Sequence, residues 1–293
     1  MDWTTLGKTA AIEWLAPNFL ARGKSYALVA PSKEGKSLLS FDVCAALATG
    51  QPIFGEYVGE PKRVLYIDNE NSHGDLADHI VSMCYDPAEL VERFVYLLYP
   101  GLPPLDGKEG GRELAELAEH YDPDVVVLDT VATLTEGPED KSDTFRALAR
   151  HTMAPLKAQG RTVLRLDHTG HNGSDPRGSS AKIADIDAVW RLKAAGDKST
   201  VTLTCKPQRG HCHPAKIVLR RTPSTRHVLA EGGKVAECAR LLDDLGVAPD
   251  AGRPAAGEAL RAKGYRYSNE VIGEAIKLRR LSASQGTAEQ RTA

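Results

Sequence analysis

The stretch "YALVAPSKEGKSLLSF", Tyr26 to Phe41, decides how the rest of the chain is interpreted. It opens with β-forming residues, turns through a segment that contains Pro, Lys and Gly, and continues in an apolar pattern with helical spacing. The turn fits the pattern G-x-x-x-x-G-K-[ST], except that Ala30 stands at the first glycine position. A strand, such a turn and a helix in this order predict a loop whose backbone N–H groups hold phosphate oxygens.

The residues of this loop have separate predicted roles. Gly35 lets the backbone close on the phosphates, Lys36 neutralises the β- and γ-phosphates, and the Ser37 hydroxyl is a ligand for Mg²⁺. An alanine at the first position adds only a methyl group and fits there if its φ is negative. ATP and Mg²⁺ are therefore the predicted ligands. The predicted nucleotide-binding residues are Ala30, Pro31, Ser32, Lys33, Glu34, Gly35, Lys36, Ser37 and Leu38.

Three later strand ends carry candidate catalytic side chains. In "DVVVLDT" the apolar run ends at Asp129, which is predicted to hold the magnesium ion through water. "RVLYIDNENS" offers Glu70 as the carboxylate that polarises the attacking water, with Asp68 as its competitor. "TVLRLDHTG" ends at Asp167 and His168, and a histidine there can sense the γ-phosphate. The alternatives are an ordinary strand-end acid, an acid that faces solvent, and a structural histidine.

The pattern of apolar runs predicts an α/β fold. Runs around Val64, Val125 and Val163 are continuously hydrophobic, which is typical of parallel strands covered by helices on both faces. The last runs are separated by turns, so the sheet is expected to finish with antiparallel strands. Helices are predicted at 36–49, 110–120 and 142–159. Two domains are expected, an ATPase domain at 1–230 and a helical tail at 231–293 whose last dozen or so residues are frayed.

The cysteines, the apolar runs and the charge distribution indicate where the protein works and what kind of partner it binds. The five cysteines are scattered without a C-x-x-C pair, and no secretory signal is visible, so a reduced cytoplasmic protein is expected. No apolar run approaches the ~20 residues that span a bilayer, so no membrane partner is expected. From Lys193 to His227 eight Lys and Arg face a single acid, Asp197, and this excess suggests a polyanionic partner such as DNA.

The tail adds a second basic segment. A helix, then "PAAGEALRAKG", then "YSNEVIGEAIKLRR" fits a helix-turn-helix-like bundle, in which Ser268 caps the second helix and Glu270 lies in its first turn. An equally weighted alternative is a small helical cap that packs on the ATPase. The basic residues expected on or near the second helix are Arg266, Lys277, Arg279 and Arg280.

These motifs come in the order seen in RecA-like ATPases, and the chain most resembles the RepA/DnaB-type hexameric helicase branch (the AAA_25 group), which is frequent in plasmids and phages. The resemblance covers roughly residues 12–222 and implies a ring, expected to be a hexamer, with ATP at each subunit interface. It implies that Glu70 is the catalytic carboxylate, Asp129 the metal-side acid and His168 the γ-phosphate sensor. By position, Lys206 and Arg209 match the basic pair offered to the neighbour's ATP. The departures are Ala30 and Pro207.

The expected function is an ATP-hydrolysing, DNA-associated motor, either a replicative helicase or a loader. The alternative is a DNA-binding regulator that assembles on a site when it binds ATP and does not unwind DNA. A small-molecule kinase is disfavoured because nothing resembles an acceptor-binding lid. Arg177 and Lys182 could bind nucleic acid, contact a neighbour's nucleotide or be solvated, and the sequence does not choose among these.

Overall fold

A computed structural model describes most of the chain. The described residues are 12–55, 59–138, 141–169, 185–210, 212–230, 233–269, 271–273, 275–277 and 279. The chain divides into two compact units, the first ending at Val228 and the second beginning at Leu229. Within the described residues, no helix is long and apolar enough to cross a membrane.

The first unit is built on a nine-stranded sheet with the order β11-β10-β9-β8-β3-β7-β6-β4-β5. The strands β8, β3, β7, β6, β4 and β5 run parallel, and β9 and β10 continue the sheet antiparallel. This confirms the predicted α/β class with antiparallel strands at one end. The sheet strands are β3 (Ser25–Ala30), β4 (Val64–Asp68), β5 (Phe94–Leu98), β6 (Val125–Asp129), β7 (Thr162–His168), β8 (Ala188–Ala194), β9 (Thr200–Gln208), β10 (Lys216–Arg221) and β11 (His227–Leu229).

The order of the strands brings the predicted motifs to one edge. Strand β7 lies between β3, which leads into the phosphate loop, and β6, which ends at Asp129. In register, Ala30 pairs with His168 and Asp68 pairs with Asp129. Because parallel strands end on the same side of a sheet, four strand ends meet there, as expected for a ligand site in an open α/β sheet.

Helices cover both faces of this sheet. Nearly all side chains of β3, β4, β6 and β7 are buried, in agreement with their continuous hydrophobic runs. They divide between two clusters, one on each face. Among the described residues, the α-helices of this unit are α1 (Lys36–Thr49), α2 (His73–Ser82), α3 (Pro87–Leu90), α4 (Lys108–Tyr121), α5 (Val131–Leu134), α6 (Ser142–Leu148) and α7 (Ala154–Ala158). A short antiparallel pair, β1 (Trp14–Ala16) and β2 (Leu20–Ala21), precedes β3.

The helix predicted over 142–159 differs from expectation in its middle. A π-helical segment, Ala149–Met153, lies between α6 and α7. It packs closely on α4, where a Cβ added to Gly111 would lie only 2.0 Å from the backbone oxygen of His151. The predicted span is therefore helical, but its middle is π-helical and not α-helical.

The second unit has its own small core. Helices α8 (Gly233–Asp244) and α9 (Arg253–Ala262) are followed by a turn at Gly264, with φ +84°, and by helical residues at 269, 271–273, 275–277 and 279. Ser268 accepts a hydrogen bond from the Val271 N–H through its side chain, at 3.3 Å, as predicted for a helix cap. Glu270 and Arg280 lie outside the described residues.

Candidate functional site

The predicted phosphate loop leaves β3 and enters α1 as the sequence suggested. Ala30 is a fully buried strand residue, and it is absent from the residues with positive φ, so its methyl group is accommodated without strain. Gly35 adopts φ 98°, a conformation that favours glycine, immediately before the first residue of α1. Lys33 also has a positive φ, 63°. Leu38 is partly buried against the core of that face.

Neighbouring strands hold this loop in place. The Glu34 carboxylate accepts a hydrogen bond from the backbone N–H of Ala194, at the end of β8, over 2.9 Å. The Lys198 ammonium donates to the Lys33 carbonyl over 3.3 Å. The loop is thus fixed from the β8–β9 connection, while Pro31 and Ser32 are exposed to solvent. Such preorganised backbone donors are what a phosphate site requires.

Lys36 is the best-buried cation of the site, with only 5% of its surface exposed. Its Nζ donates to the carbonyls of Ala30 and Pro31, over 3.0 and 3.2 Å, and lies 3.1 Å from His168 Nδ1. A lysine ammonium has only donor hydrogens, so Nδ1 is the acceptor and the ring proton of a neutral His168 is on Nε2. The histidine therefore presents an N–H on its other side.

That N–H points toward Glu70. The distance between His168 Nε2 and Glu70 Oε2 is 3.8 Å, and the Glu70 side chain is 40% exposed. Lys36, His168 and Glu70 thus lie in a row from the phosphate loop to a solvent-accessible carboxylate, with a hydrogen bond between the first two and a longer contact of 3.8 Å between the last two. This is the arrangement in which a carboxylate can orient a water molecule near a phosphate.

The competing acid, Asp68, is fully buried, and both of its carboxylate oxygens already accept hydrogen bonds. Its Oδ1 accepts the backbone N–H groups of Glu70 and Asn71, at 2.7 and 3.0 Å, and its Oδ2 accepts the Asn71 side-chain amide at 2.7 Å and the Tyr96 hydroxyl. Asp68 therefore shapes the turn that carries Glu70, and the geometry favours Glu70 as the water-facing acid.

Asp129 has a different environment, although it is the register partner of Asp68. One oxygen, Oδ2, accepts the Tyr66 hydroxyl at 2.7 Å, while Oδ1 is buried and has no hydrogen-bond partner among the described residues. The pKa of Asp129 is raised to about 7, mainly by burial and in smaller part by the charges of Asp68 and Glu70, while the hydroxyls of Tyr66 and Ser37 oppose the rise. A buried, unpaired carboxylate oxygen beside the Ser37 hydroxyl fits a hard cation such as Mg²⁺.

Two tyrosines in this site were not predicted from the sequence. The rings of Tyr66, on β4, and Tyr96, on β5, stack with centroids 4.6 Å apart, and their hydroxyls bind Asp129 and Asp68. Each lies in an apolar strand run, where an aromatic residue is ordinarily a core residue. For Tyr66 the only available signal was a phenol on a strand that ends at an acid, and Tyr96 lacked even this signal because β5 ends at Leu98.

Lys206 and Arg209 lie away from the loop of their own chain. Gln208 pairs with Ala188 on β8, and Ala188 pairs with Tyr26 near the start of β3. The loop begins after Ala30, at the other end of that strand, which is roughly 13 Å further along at ~3.3 Å per residue. Both side chains are exposed at this opposite edge. Arg177 and Lys182, and the segment 170–182, lie outside the described residues.

Comparison with known proteins agrees with this geometry. The model of the AAA domain family (AAA_25) matches residues 2–174, more than half of the chain, and these residues contain the phosphate loop, Glu70, Asp129 and His168. No curated protein matches the chain. The family match implies nucleotide binding and an ATPase-type activity. Because the family model covers more than half of the chain, the chain belongs to the AAA_25 family of AAA domains.

Proposed function

We propose that this protein is an ATP-hydrolysing, DNA-associated motor of the RecA-like class, a replicative helicase or helicase loader of the phage or plasmid type that works in the cytoplasm. The observation that carries the proposal is the row from Lys36 through His168 to Glu70, beside the unpaired Oδ1 of Asp129. It combines a phosphate-binding cation, a polar sensor and a water-facing acid at one edge of a RecA-like sheet.

In this proposal each residue has one task. The backbone of residues 31–37 binds the phosphates, and Lys36 neutralises their charge. Ser37 and Asp129 would hold Mg²⁺, which when bound spreads the negative charge of the β- and γ-phosphates. Glu70 orients the attacking water and accepts its proton. His168, which contacts both Lys36 and Glu70, links the state of the phosphate site to the segment that follows β7.

Phosphoryl transfer is accelerated by a cation at the position where charge develops, and such a cation is worth ~10³–10⁵ in rate. We propose that Arg209 and Lys206 of a neighbouring copy supply it. Their exposure at the opposite edge of the sheet suits a contact between copies and excludes one within the chain. Arg209 also lines a cavity of about 490 Å³ with Arg146, Arg150, Lys157 and the acid Asp185, so cations outnumber acids there, although Lys157 is paired with Asp187. A ring of subunits, expected to be a hexamer, follows from this head-to-tail contact.

DNA association rests on charge and on the tail. The exposed basic residues of the second unit include Arg261, Arg266 and Lys277. Arg279, however, is 6% exposed and its Nε donates to Asp243 over 2.7 Å, so it holds the tail together and is not available to DNA. The expectation that Arg279 belongs to the DNA-facing set is therefore withdrawn, while Arg266 and Lys277 are retained.

A second candidate function has one observation in its favour. Helix α9, the turn at Gly264 and the described helical residues between 269 and 279 have the order of a helix-turn-helix, with Ser268 as the cap of the second helix. A regulator that binds ATP, assembles and grips a DNA site through this unit would use the same phosphate loop. It would not unwind or translocate.

An ATPase assay across protein concentrations, with and without single-stranded DNA, tests the proposal. Hydrolysis per subunit should rise steeply with concentration, because the neighbour's arginine completes the site, and DNA should stimulate it. A forked duplex then separates the two functions, since only a motor displaces a strand when ATP is present. Hydrolysis that is independent of concentration and of DNA would contradict the motor and the ring together.

A further inference from the structure

An arginine from the antiparallel end of the sheet reaches the phosphate loop of its own chain. Strand β10 ends at Arg221, whose Nη2 lies 3.5 Å from the backbone oxygen of Glu34. A Cβ added to Gly35 would lie 2.3 Å from the same nitrogen. The guanidinium therefore rests against the backbone directly before Lys36, where the loop and the helix N-terminus favour negative charge.

A second set of hydrogen bonds orients the Arg221 side chain. Arg221 Nε donates to His227 Nε2 over 3.3 Å, and His227 Nδ1 lies 2.9 Å from Asp42 Oδ2. A carboxylate only accepts, so Nδ1 carries the ring proton and Nε2 offers the lone pair that Arg221 needs. Asp42 is 4% exposed and belongs to α1, the helix that begins with Lys36. The arginine is thus tied to the helix of the phosphate loop.

The charge of Arg221 is not matched by an acid. Asp42 takes Arg226 as its ion-pair partner, and Glu34 is bound through its side chain to the Ala194 N–H. Among the described residues, no carboxylate forms a salt bridge with Arg221, and its Nη1 makes no hydrogen bond to them. Burial lowers the pKa of Arg221, against a smaller opposing effect of Glu34. A half-buried cation without a counterion, at a loop shaped for phosphate, points to an anionic ligand.

We propose that Arg221 is a phosphate-binding residue supplied in cis, which contacts the polyphosphate of a bound nucleoside di- or triphosphate, and that His227 and Asp42 are its positioning residues. The inference rests on the proposed nucleotide site. It adds a cation from a part of the chain beyond residues 2–174, which the family model matches. The sequence offered only the basic run "KIVLRR", without a motif that distinguishes one arginine from the next.

Titration of the full-length protein with a fluorescent ADP analogue, and its displacement by ADP and by inorganic pyrophosphate, tests the proposal. For Arg221→Gln we expect the affinity for both competitors to fall about tenfold to a hundredfold, the range of a hydrogen bond with a charged group. Arg220→Gln is the matched control: it removes the same charge from the adjacent, exposed position of β10 and should bind as the wild type does.

A double-mutant cycle tests the positioning residue. His227→Ala alone should weaken pyrophosphate binding by about threefold to tenfold, but should have no further effect in the Arg221→Gln background, because it acts through Arg221. Equal losses in both backgrounds would assign His227 a purely structural role and overturn the relay.

The result that overturns the main inference is a folded Arg221→Gln protein that binds ADP and pyrophosphate as tightly as the wild type. If the wild type binds ADP, only the inference about Arg221 fails and the proposed function stands. If the wild type does not bind ADP, the proposed function itself fails. Should Arg221→Gln not fold, a structure of the wild-type chain with ADP decides. An Nη atom within hydrogen-bonding distance of a phosphate oxygen supports the inference, and a guanidinium without phosphate contact refutes it.

Discussion

The residues of the site show how environment assigns different tasks to identical side chains. Asp68 and Asp129 are register partners on adjacent strands and are both fully buried, yet one oxygen of Asp129 lacks a partner whereas Asp68 is saturated. The sequence could predict that acids end these strands. It could not choose between Asp68 and Glu70, because the Tyr96 hydroxyl that occupies Asp68 comes from another strand.

The raised pKa of Asp129 predicts a pH-dependent stability in the absence of magnesium. A group whose pKa is higher in the folded state stabilises the fold when it is protonated, and this contribution is lost as pH rises through about 7. The change from the ordinary value corresponds to roughly 4 kcal/mol at most. Asp129→Asn should therefore raise the melting temperature in EDTA at pH 8 and flatten its dependence on pH between about 4 and 8. A variant less stable than the wild type at pH 8 would contradict this.

Glu70 and Asp68 should differ when each loses its charge. Glu70→Gln should lower the rate of ATP hydrolysis by about a hundredfold or more while ATP still binds, because only the base for water is lost. Asp68→Asn should instead lower the free energy of unfolding, because its buried carboxylate accepts several hydrogen bonds. Parallel ATPase assays and urea titrations of both variants measure the contrast. Normal hydrolysis by Glu70→Gln would exclude it as the catalytic carboxylate.

At the scale of elements, hydrophobic periodicity was sufficient to predict most of the strands of the sheet. The apolar runs that contain Val64, Val125 and Val163 are all buried strands, and the helix predicted at 36–49 has those bounds. The π-helical segment could not be predicted in this way. Its packing depends on Gly111 in a separate helix, and periodicity within a window of sequence carries no information about a distant partner.

The contact between α4 and the π-helical segment predicts that Gly111 tolerates no side chain. Gly111→Ala should lower the free energy of unfolding by about 2–3 kcal/mol, because the new methyl group would overlap the His151 carbonyl and the backbone must shift. Gly196→Ala is the control, since nothing lies within 4 Å of an added Cβ there and its φ is not positive. Chemical denaturation compares the two. Equal stabilities would show that the two elements are not in close contact.

At the scale of the whole molecule, the two parts of the proposed catalytic site lie at opposite edges of the sheet. The phosphate loop follows the end of β3, and Arg209 follows β9 near the start of β3. The resemblance to RecA-like ATPases suggested this division from the sequence. The distance between the two edges could not be predicted from the sequence, because it depends on how β8 and β9 pair.

Mixing experiments follow from this division. Arg209→Ala and Lys36→Ala should each hydrolyse ATP poorly. An equimolar mixture should recover up to roughly a quarter of the wild-type activity, because random assembly gives that share of interfaces an intact loop and an intact arginine. Arg209→Ala at doubled concentration is the control and should stay inactive. A mixture no more active than its components would contradict the contribution of Arg209 in trans.

Calorimetric titration of the wild type and of Lys36→Ala with ADP and Mg²⁺ tests the central claim, that residues 30–38 hold a nucleotide by its phosphates. We predict about one ADP per wild-type chain and an affinity at least about a hundredfold weaker for Lys36→Ala, since a buried cation that contacts phosphate is lost. No heat of binding with the wild type, or equal affinity in both proteins, would contradict the claim.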